Sequence, residues 1–182
     1  MSVLADDLAR WAADARADEA GRARARARWL RRQAEDEATF AGLLVDLAER
    51  GTPVVARTTV GRRHRGTVAG VAADFVLLRP DSGWWLLLPF DAVATVRPVE
   101  RAGEAATGRR LPGLDLLLGE ALEAMAGDRA RVAIVTVGTG EPVSGELEAV
   151  GDDVITVRLD GPGRERVFVR LAAVAEIAVE TR

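Results

Sequence analysis

The chain has 182 residues; 48% are hydrophobic, 25 are basic, 28 are acidic and none is cysteine. Disulfides, thiolate metal ligands and cysteine nucleophiles are therefore excluded, and a cytoplasmic location is expected. No apolar run is long enough to cross a bilayer, and the first residues lack the pattern of a signal peptide, so we expect no membrane association.

Charge is distributed unevenly along the chain, although its net value is only −3. Residues 51–98 contain six Arg and three acidic residues, whereas residues 113–182 contain seven Arg and thirteen acidic residues. A basic region and an acidic region attract each other, either within one chain or between chains. Every basic residue is Arg, which with the abundant Ala, Gly and Val is typical of a GC-rich bacterial genome.

The first fifty residues predict helix, because residues 2–50 are rich in Ala, Arg, Glu and Leu and contain no proline. Apolar residues follow two heptad-like registers, one from Leu4 to Ala15 and one from Ala23 to Ala48. The registers are out of phase, so we expect a kink or a break near residues 18–21. Gly51 is expected to end the helical region.

Two sets of five short β-type segments follow, and a helix at residues 114–128 precedes the second set. The predicted strands cover residues 53–61, 64–71, 74–80, 83–89 and 92–97, then 130–138, 143–150, 153–159, 164–171 and 173–179. Asp81, Ser82 and Gly83 predict a tight turn between the third and fourth strands.

The two sets are an internal repeat. Four residues of the first set recur at matching places in the second: Gly66, Val71, Asp74 and Arg79 recur as Gly145, Val150, Asp153 and Arg158. The predicted organisation is a helical arm at 1–38, a first repeat at 39–98, a linker at 99–113 and a second repeat at 114–182.

A helix followed by five short, bent strands resembles the Sm-like fold, a small SH3-like barrel. The stretches from Gly66 to Asp74 and from Gly145 to Asp153 resemble the first Sm motif, in which a glycine bends the second strand. The resemblance implies an α+β, mainly β protein: a helical arm and two tandem five-stranded Sm-like or SH3-like barrels, each preceded by a helix. The Asn that RNA-binding Sm proteins place soon after the aspartate is absent at residues 75–78 and 154–157.

The third and fourth strands of the first repeat are apolar on both faces, unlike their counterparts in the second repeat. Burying the second face would contribute several kcal/mol, at about 25 cal/mol per Å2 of apolar area. We therefore expect it to be covered by the N-terminal helix, the other barrel or another chain. The candidate interface residues are Phe75, Leu77, Trp84, Trp85 and Leu87.

Two arginine groups are candidate nucleic-acid contacts. They are Arg22, Arg24, Arg26 and Arg28 in the arm, and Arg62, Arg63 and Arg65 at a hairpin tip. The alternative interpretation of the arm group is a solvated helix face whose charge is balanced by the acidic residues 35–37. The alternative interpretation of the hairpin group is an exposed turn.

The remaining polar candidates do not predict catalysis. His64 is the only histidine and has no acidic neighbour in the sequence. Asp74 and Asp153 are expected to cap the turn that opens the third strand of each repeat. No phosphate loop, metal-ligand cluster or nucleophile constellation is present in the sequence, so no catalytic, cofactor, metal or small-molecule site is predicted.

Two functional interpretations remain open from the sequence. The first is a non-enzymatic interaction or scaffold protein that forms a dimer or a larger homo-oligomer. The second is a nucleic-acid-binding protein that uses the two arginine groups.

Overall fold

A computed structural model describes residues 3–80, 83–99, 112–138 and 140–180, and omits the side chains of residues 3–9, 12 and 14. The chain forms two compact units that divide between Ala38 and Thr39. Most of the predicted linker at 99–113, and Asp81 and Ser82 of the predicted turn, lie outside the described residues.

Three α-helices and ten β-strands make up the described structure. The helices are α1 (Val3–Asp36), α2 (Phe40–Glu49) and α3 (Leu118–Gly127). The strands of the first repeat are β1 (Pro53–Thr58), β2 (Arg63–Val71), β3 (Phe75–Pro80), β4 (Trp85–Pro89) and β5 (Val93–Pro98). Those of the second are β6 (Arg131–Thr136), β7 (Pro142–Val150), β8 (Val154–Leu159), β9 (Arg166–Arg170) and β10 (Val174–Val179). Short 3-10 helices precede β5 and β10, at Phe90–Ala92 and Leu171–Ala173.

Of the expected kink or break near residues 18–21, the break was wrong, because α1 continues through these residues as one helix. A single glycine within strong helix formers costs only about 1 kcal/mol, which the neighbouring residues tolerate. The helical region instead breaks before α2, where Thr39 is extended and its Oγ1 accepts a hydrogen bond from Gly42 N at 3.0 Å. Gly51 follows α2 with a φ of 59°, as expected of a helix-ending glycine.

The ten strands form one sheet, in the order β5-β1-β2-β3-β4-β10-β6-β7-β8-β9. The expectation of two separate five-stranded barrels was therefore wrong, although the mainly β character of an α+β protein was right. A barrel loses its edges by pairing its strands into a closed ring. Here β5 pairs with β1, but β4 pairs with β10 of the other repeat, so the two halves become one open sheet.

The repeated glycines allow adjacent strands to approach closely. A Cβ at Gly66 would meet the carbonyl oxygen of Arg79, and a Cβ at Gly145 would meet that of Arg158. A register shift follows each glycine within a few residues, between Val68 and Gly70 in β2 and at the same place in β7. The recurrence of glycine at these two places therefore reflects backbone packing.

The β3–β4 hairpin contributes to two hydrophobic cores. Leu86 and Leu88 belong to the core of the first repeat, together with residues of α2. Phe75 and Leu87, on the opposite face, belong to the core of the second repeat, together with Leu122 of α3. The second apolar face of the hairpin is therefore covered by the second repeat.

Candidate interaction surfaces

The junction between the repeats is the pairing of β4 with β10. Its register places Leu87 opposite Ile177 and Trp85 opposite Val179, in antiparallel orientation. Leu87 is 1% exposed and Ile177 is fully buried. The junction is therefore part of the hydrophobic core and holds the two repeats together.

A buried carboxylate reinforces this junction. Glu176 lies on β10, where the pairing with β6 shifts register between Val174 and Glu176. Its Oε1 lies 2.6 Å from Arg62 Nε and its Oε2 lies 2.6 Å from His64 Nε2. Both partners come from the first repeat. Since an ionised carboxylate only accepts hydrogen bonds, His64 donates through Nε2.

Sequence reasoning missed this cluster because His64 and Glu176 lie 112 residues apart. One signal could have found it: Glu176 is the only charged residue of the apolar strand β10. A buried carboxylate is costly unless it is paired and hydrogen-bonded, so that position required cationic partners from elsewhere in the fold.

The ends of the sheet are the strands β5 and β9, each of which is paired on one side only. No residue of β5 is fully buried, and in β9 only Val169 is. Phe168 of β9 is 69% exposed. Unpaired edge strands present free N–H and C=O groups that readily pair with another strand.

These two ends are the counterparts of the strands joined at the junction. β4 and β9 each end directly before a 3-10 helix, and β5 and β10 each follow one. Counted from that helix, exposed Phe168 occupies in β9 the place that buried Leu87 occupies in β4. The chain thus has, at its two open ends, one copy of each strand type that it pairs internally.

A charge cluster attaches β9 to its neighbours. Glu148 lies at the register shift of β7, and its carboxylate is 2.8 Å from Arg166 Nε and 3.0 Å from a terminal nitrogen of Arg158. Hydrogen bonds from Arg166, then from Arg158, lower the pKa of Glu148 from 4.5 to about 2. The same pairing raises the pKa of Arg166.

The side chain of Asp74 contacts the second repeat, whereas the sequence predicted that it caps the turn before β3. Its Oδ1 accepts a hydrogen bond from Leu118 N at 2.8 Å, the first residue of α3. This is a helix N-cap interaction supplied from a distant part of the chain. The backbone oxygens of the two aspartates accept matching hydrogen bonds, Asp74 from Phe90 N at 2.9 Å and Asp153 from Leu171 N at 2.7 Å.

A hollow of about 450 Å3 lies between these turns, lined in part by Asp74, Asp91, Asp152 and Asp153. In the described ranges, no group of three or more His, Asp or Glu side chains is arranged to hold a metal ion.

None of the described helices is both long and apolar enough to span a membrane.

The candidate nucleic-acid arginines are divided between the two units. Arg22, Arg24, Arg26 and Arg28 are exposed on α1. Arg63 and Arg65 are exposed on β2, whereas Arg62 is paired with Glu176. Nucleic-acid binding stays a prediction.

Most of the candidate interface residues are buried or half-buried within a single chain. Phe75 and Leu87 are buried, and Leu77 and Trp85 pack against the core of the second repeat. Trp84 is 37% exposed. The four residues other than Trp84 therefore lie at the interface between the two repeats.

Comparison with protein-family models and with curated proteins finds no match for this chain. The Sm-like resemblance therefore stays a prediction that rests on the repeated sequence stretches alone.

Proposed function

We propose that the chain is a non-enzymatic, cytoplasmic interaction protein that assembles with copies of itself, by pairing β5 of one copy with β9 of the next. The observation that supports the proposal is the β4·β10 junction. It joins, within one chain, the same two strand types that are left open at the two ends of the sheet.

The internal junction also supplies a register for the external one. Leu87 faces Ile177 across β4·β10. Their counterparts are Phe168 and Val96, so Phe168 of one copy would face Val96 of the next and lose its exposure. The pairing would also bring the basic region of one copy against the acidic region of another, which favours encounter.

Two features make the external contact weaker than the internal one. Arg166 and Arg170 lie at the ends of β9, and charged residues on an edge strand discourage pairing. Arg166 is already neutralised by Glu148, which reduces this effect. In addition, Thr95 occupies in β5 the place of Glu176 in β10, so the buried ion pairs are not reproduced. We therefore expect reversible, concentration-dependent association.

The contact joins two different surfaces, so it is heterologous. Heterologous contacts produce closed rings when the rotation closes and open filaments when it does not. A third copy adds by the same contact as a second one. Assembly is therefore expected to exceed a dimer at high concentration.

Light scattering after gel filtration tests the proposal through Phe168→Arg. An arginine at this place would have to lose its water on pairing, so the mean mass at high concentration should fall. Val137→Arg is the matched control, because Val137 is 57% exposed but lies in a turn outside the two edges. An unchanged mass for Phe168→Arg would contradict the proposal.

A mixing experiment tests whether the contact is heterologous. Thr95→Arg blocks β5 and leaves β9 intact, whereas Phe168→Arg does the reverse. Each variant alone should be smaller than the unmodified chain, and an equal mixture should be larger than either, because one good contact remains between them. A mixture no larger than its components would contradict the pairing of β5 with β9.

A further inference from the structure

The α1 helix carries a second self-complementary surface, on a different part of the chain from the sheet edges. Because α1 is continuous, residues at alternating steps of four and three lie along one stripe of it. From Trp11 onward this stripe is Trp11, Ala15, Asp18, Arg22, Ala25, Trp29 and Arg32. Every one of these residues is exposed. Trp11 is 74% and Trp29 is 62% exposed.

From Trp11 to Trp29, the residue types of the stripe are arranged nearly symmetrically about its centre. Measured from its centre, each tryptophan has a tryptophan as its mirror image and Ala15 has Ala25. The two central residues, Asp18 and Arg22, have opposite charges. An antiparallel partner with the same sequence therefore meets like with like at the apolar positions and opposite with opposite at the charged ones.

We infer that α1 pairs antiparallel with α1 of a second copy of the chain. Trp11 faces Trp29, Ala15 faces Ala25, and Asp18 faces Arg22, each across the two-fold axis. Every layer then joins one residue of the first position of a heptad with one of the fourth, which is the layer geometry of an antiparallel pair of helices. The alanine layers, on either side of the central charged layers, let the helices approach closely.

Charge determines both the direction and the register of the pair. A parallel pair would place Asp18 against Asp18 and Arg22 against Arg22, which is repulsive in both layers. An antiparallel pair shifted by one layer would place Arg22 opposite Trp11 or Ala25. Only the centred antiparallel register pairs each charge with its opposite and each apolar residue with another.

A disulfide cross-link measures the direction of pairing, and the absence of native cysteine makes the result unambiguous. Full-length Ala15→Cys and Ala25→Cys proteins, mixed and oxidised, should form a mixed covalent dimer, while each alone should not. Arg16→Cys mixed with Arg24→Cys is the matched control, because these residues are also symmetric about residue 20 but lie off the stripe. Cross-linking of each single variant with itself would indicate a parallel pair and overturn the inference, as would no cross-linking of the mixture.

Charge exchange measures the energetic contribution. Arg22→Asp places two carboxylates together in both central layers, so the dissociation constant should rise by about 100-fold. Arg16→Asp makes the same charge change off the stripe and should leave it within about twofold. Combining Asp18→Arg with Arg22→Asp should restore most of the affinity. If Asp18 and Arg22 only stabilised the α1 helix of a single chain, these substitutions would change its helicity but not the mass of the assembly.

The mass measurements are made in the Phe168→Arg chain, so that contacts at the sheet edge do not contribute. A dimer in this background that becomes a monomer on Arg22→Asp supports the inference whether or not the sheet edges pair. A monomer in this background at high concentration overturns it. Equal effects of Arg22→Asp and Arg16→Asp, accompanied by binding of duplex DNA or single-stranded RNA, would assign the stripe to nucleic acid instead and also overturn it.

Discussion

The covered junction and the open ends of the sheet use counterpart strands with opposite results. In β10 five of six residues are buried, whereas in its counterpart β5 none is. The three central residues of β4 are buried, whereas in its counterpart β9 only one residue is. The strand's place in the sheet order, and not its place in the repeat, determines how much of it is buried.

The sequences of these strands have diverged in accordance with that difference. β4 carries three consecutive leucines, which supply apolar contacts to both cores. β9 begins and ends with arginine, which keeps an edge strand soluble and discourages uncontrolled pairing. Phe168 is the exception, since it exposes an aromatic ring at the place where its counterpart Leu87 is buried.

The largest expected effect is a difference in stability between a substitution at Leu87 and one at its counterpart, Phe168. Leu87→Ala removes a side chain that is 1% exposed, so the free energy of unfolding should fall by about 2–5 kcal/mol. Phe168→Ala changes a residue that is 69% exposed, so the fall should stay within about 0.5 kcal/mol. Denaturant unfolding of dilute protein measures both. Similar losses for the two variants would contradict the assignment of covered and open strands.

The second expected effect concerns Glu176, which has a threonine as its counterpart in β5. Glu176→Gln keeps the shape but removes the charge that pairs with Arg62, so it should cost about 1–3 kcal/mol. Glu146→Gln is the matched control, because the Glu146 carboxylate also pairs with an arginine, Arg129, at 3.0 Å, but at a more exposed site. That change should cost about 0–1 kcal/mol.

Chemical denaturation of the two variants at neutral pH gives the comparison. If Glu146→Gln proved as costly as Glu176→Gln, the buried ion pairs would not be what stabilises the junction. Glu176→Gln should also lower the cooperativity of unfolding if the two repeats separate before each one unfolds.

Much of the local structure could be predicted from the sequence because it depends on neighbouring residues. Short β-type segments predicted all ten strands, and Gly51 correctly marked the end of α2. The doubly apolar β3–β4 hairpin correctly indicated a second covered face. Each of these depends on residues close together in the sequence.

The sheet order could not be predicted, because it depends on which of two similar partners each strand selects. The chain contains two sets of matching strands, so pairing within a set and pairing between sets satisfy the same local pattern. The choice of β10 for β4 depends on the register of both repeats and on contacts such as Asp74 with Leu118 and Arg62 with Glu176. Those contacts join residues that are far apart in the sequence.

The smallest expected effect lies at the open end, where Glu148 has Ala69 as its counterpart at the register shift of β2. Because Arg166 and Arg158 lower the pKa of Glu148 from 4.5 to about 2, folding favours its ionised form. This contribution to stability is fully present above pH 4.5 and is lost as the pH falls from 4.5 towards 2.

The difference in unfolding free energy between the unmodified chain and Glu148→Gln isolates that contribution, because other carboxyl groups titrate equally in both proteins. The difference should be constant above about pH 5 and shrink as the pH falls through the window between 4.5 and 2. Hydrogen exchange should show the same loss in the amides of β9, since Arg166 is its first residue. A difference that persists undiminished at the acidic end of the window would show that these ion pairs do not hold β9 in the sheet.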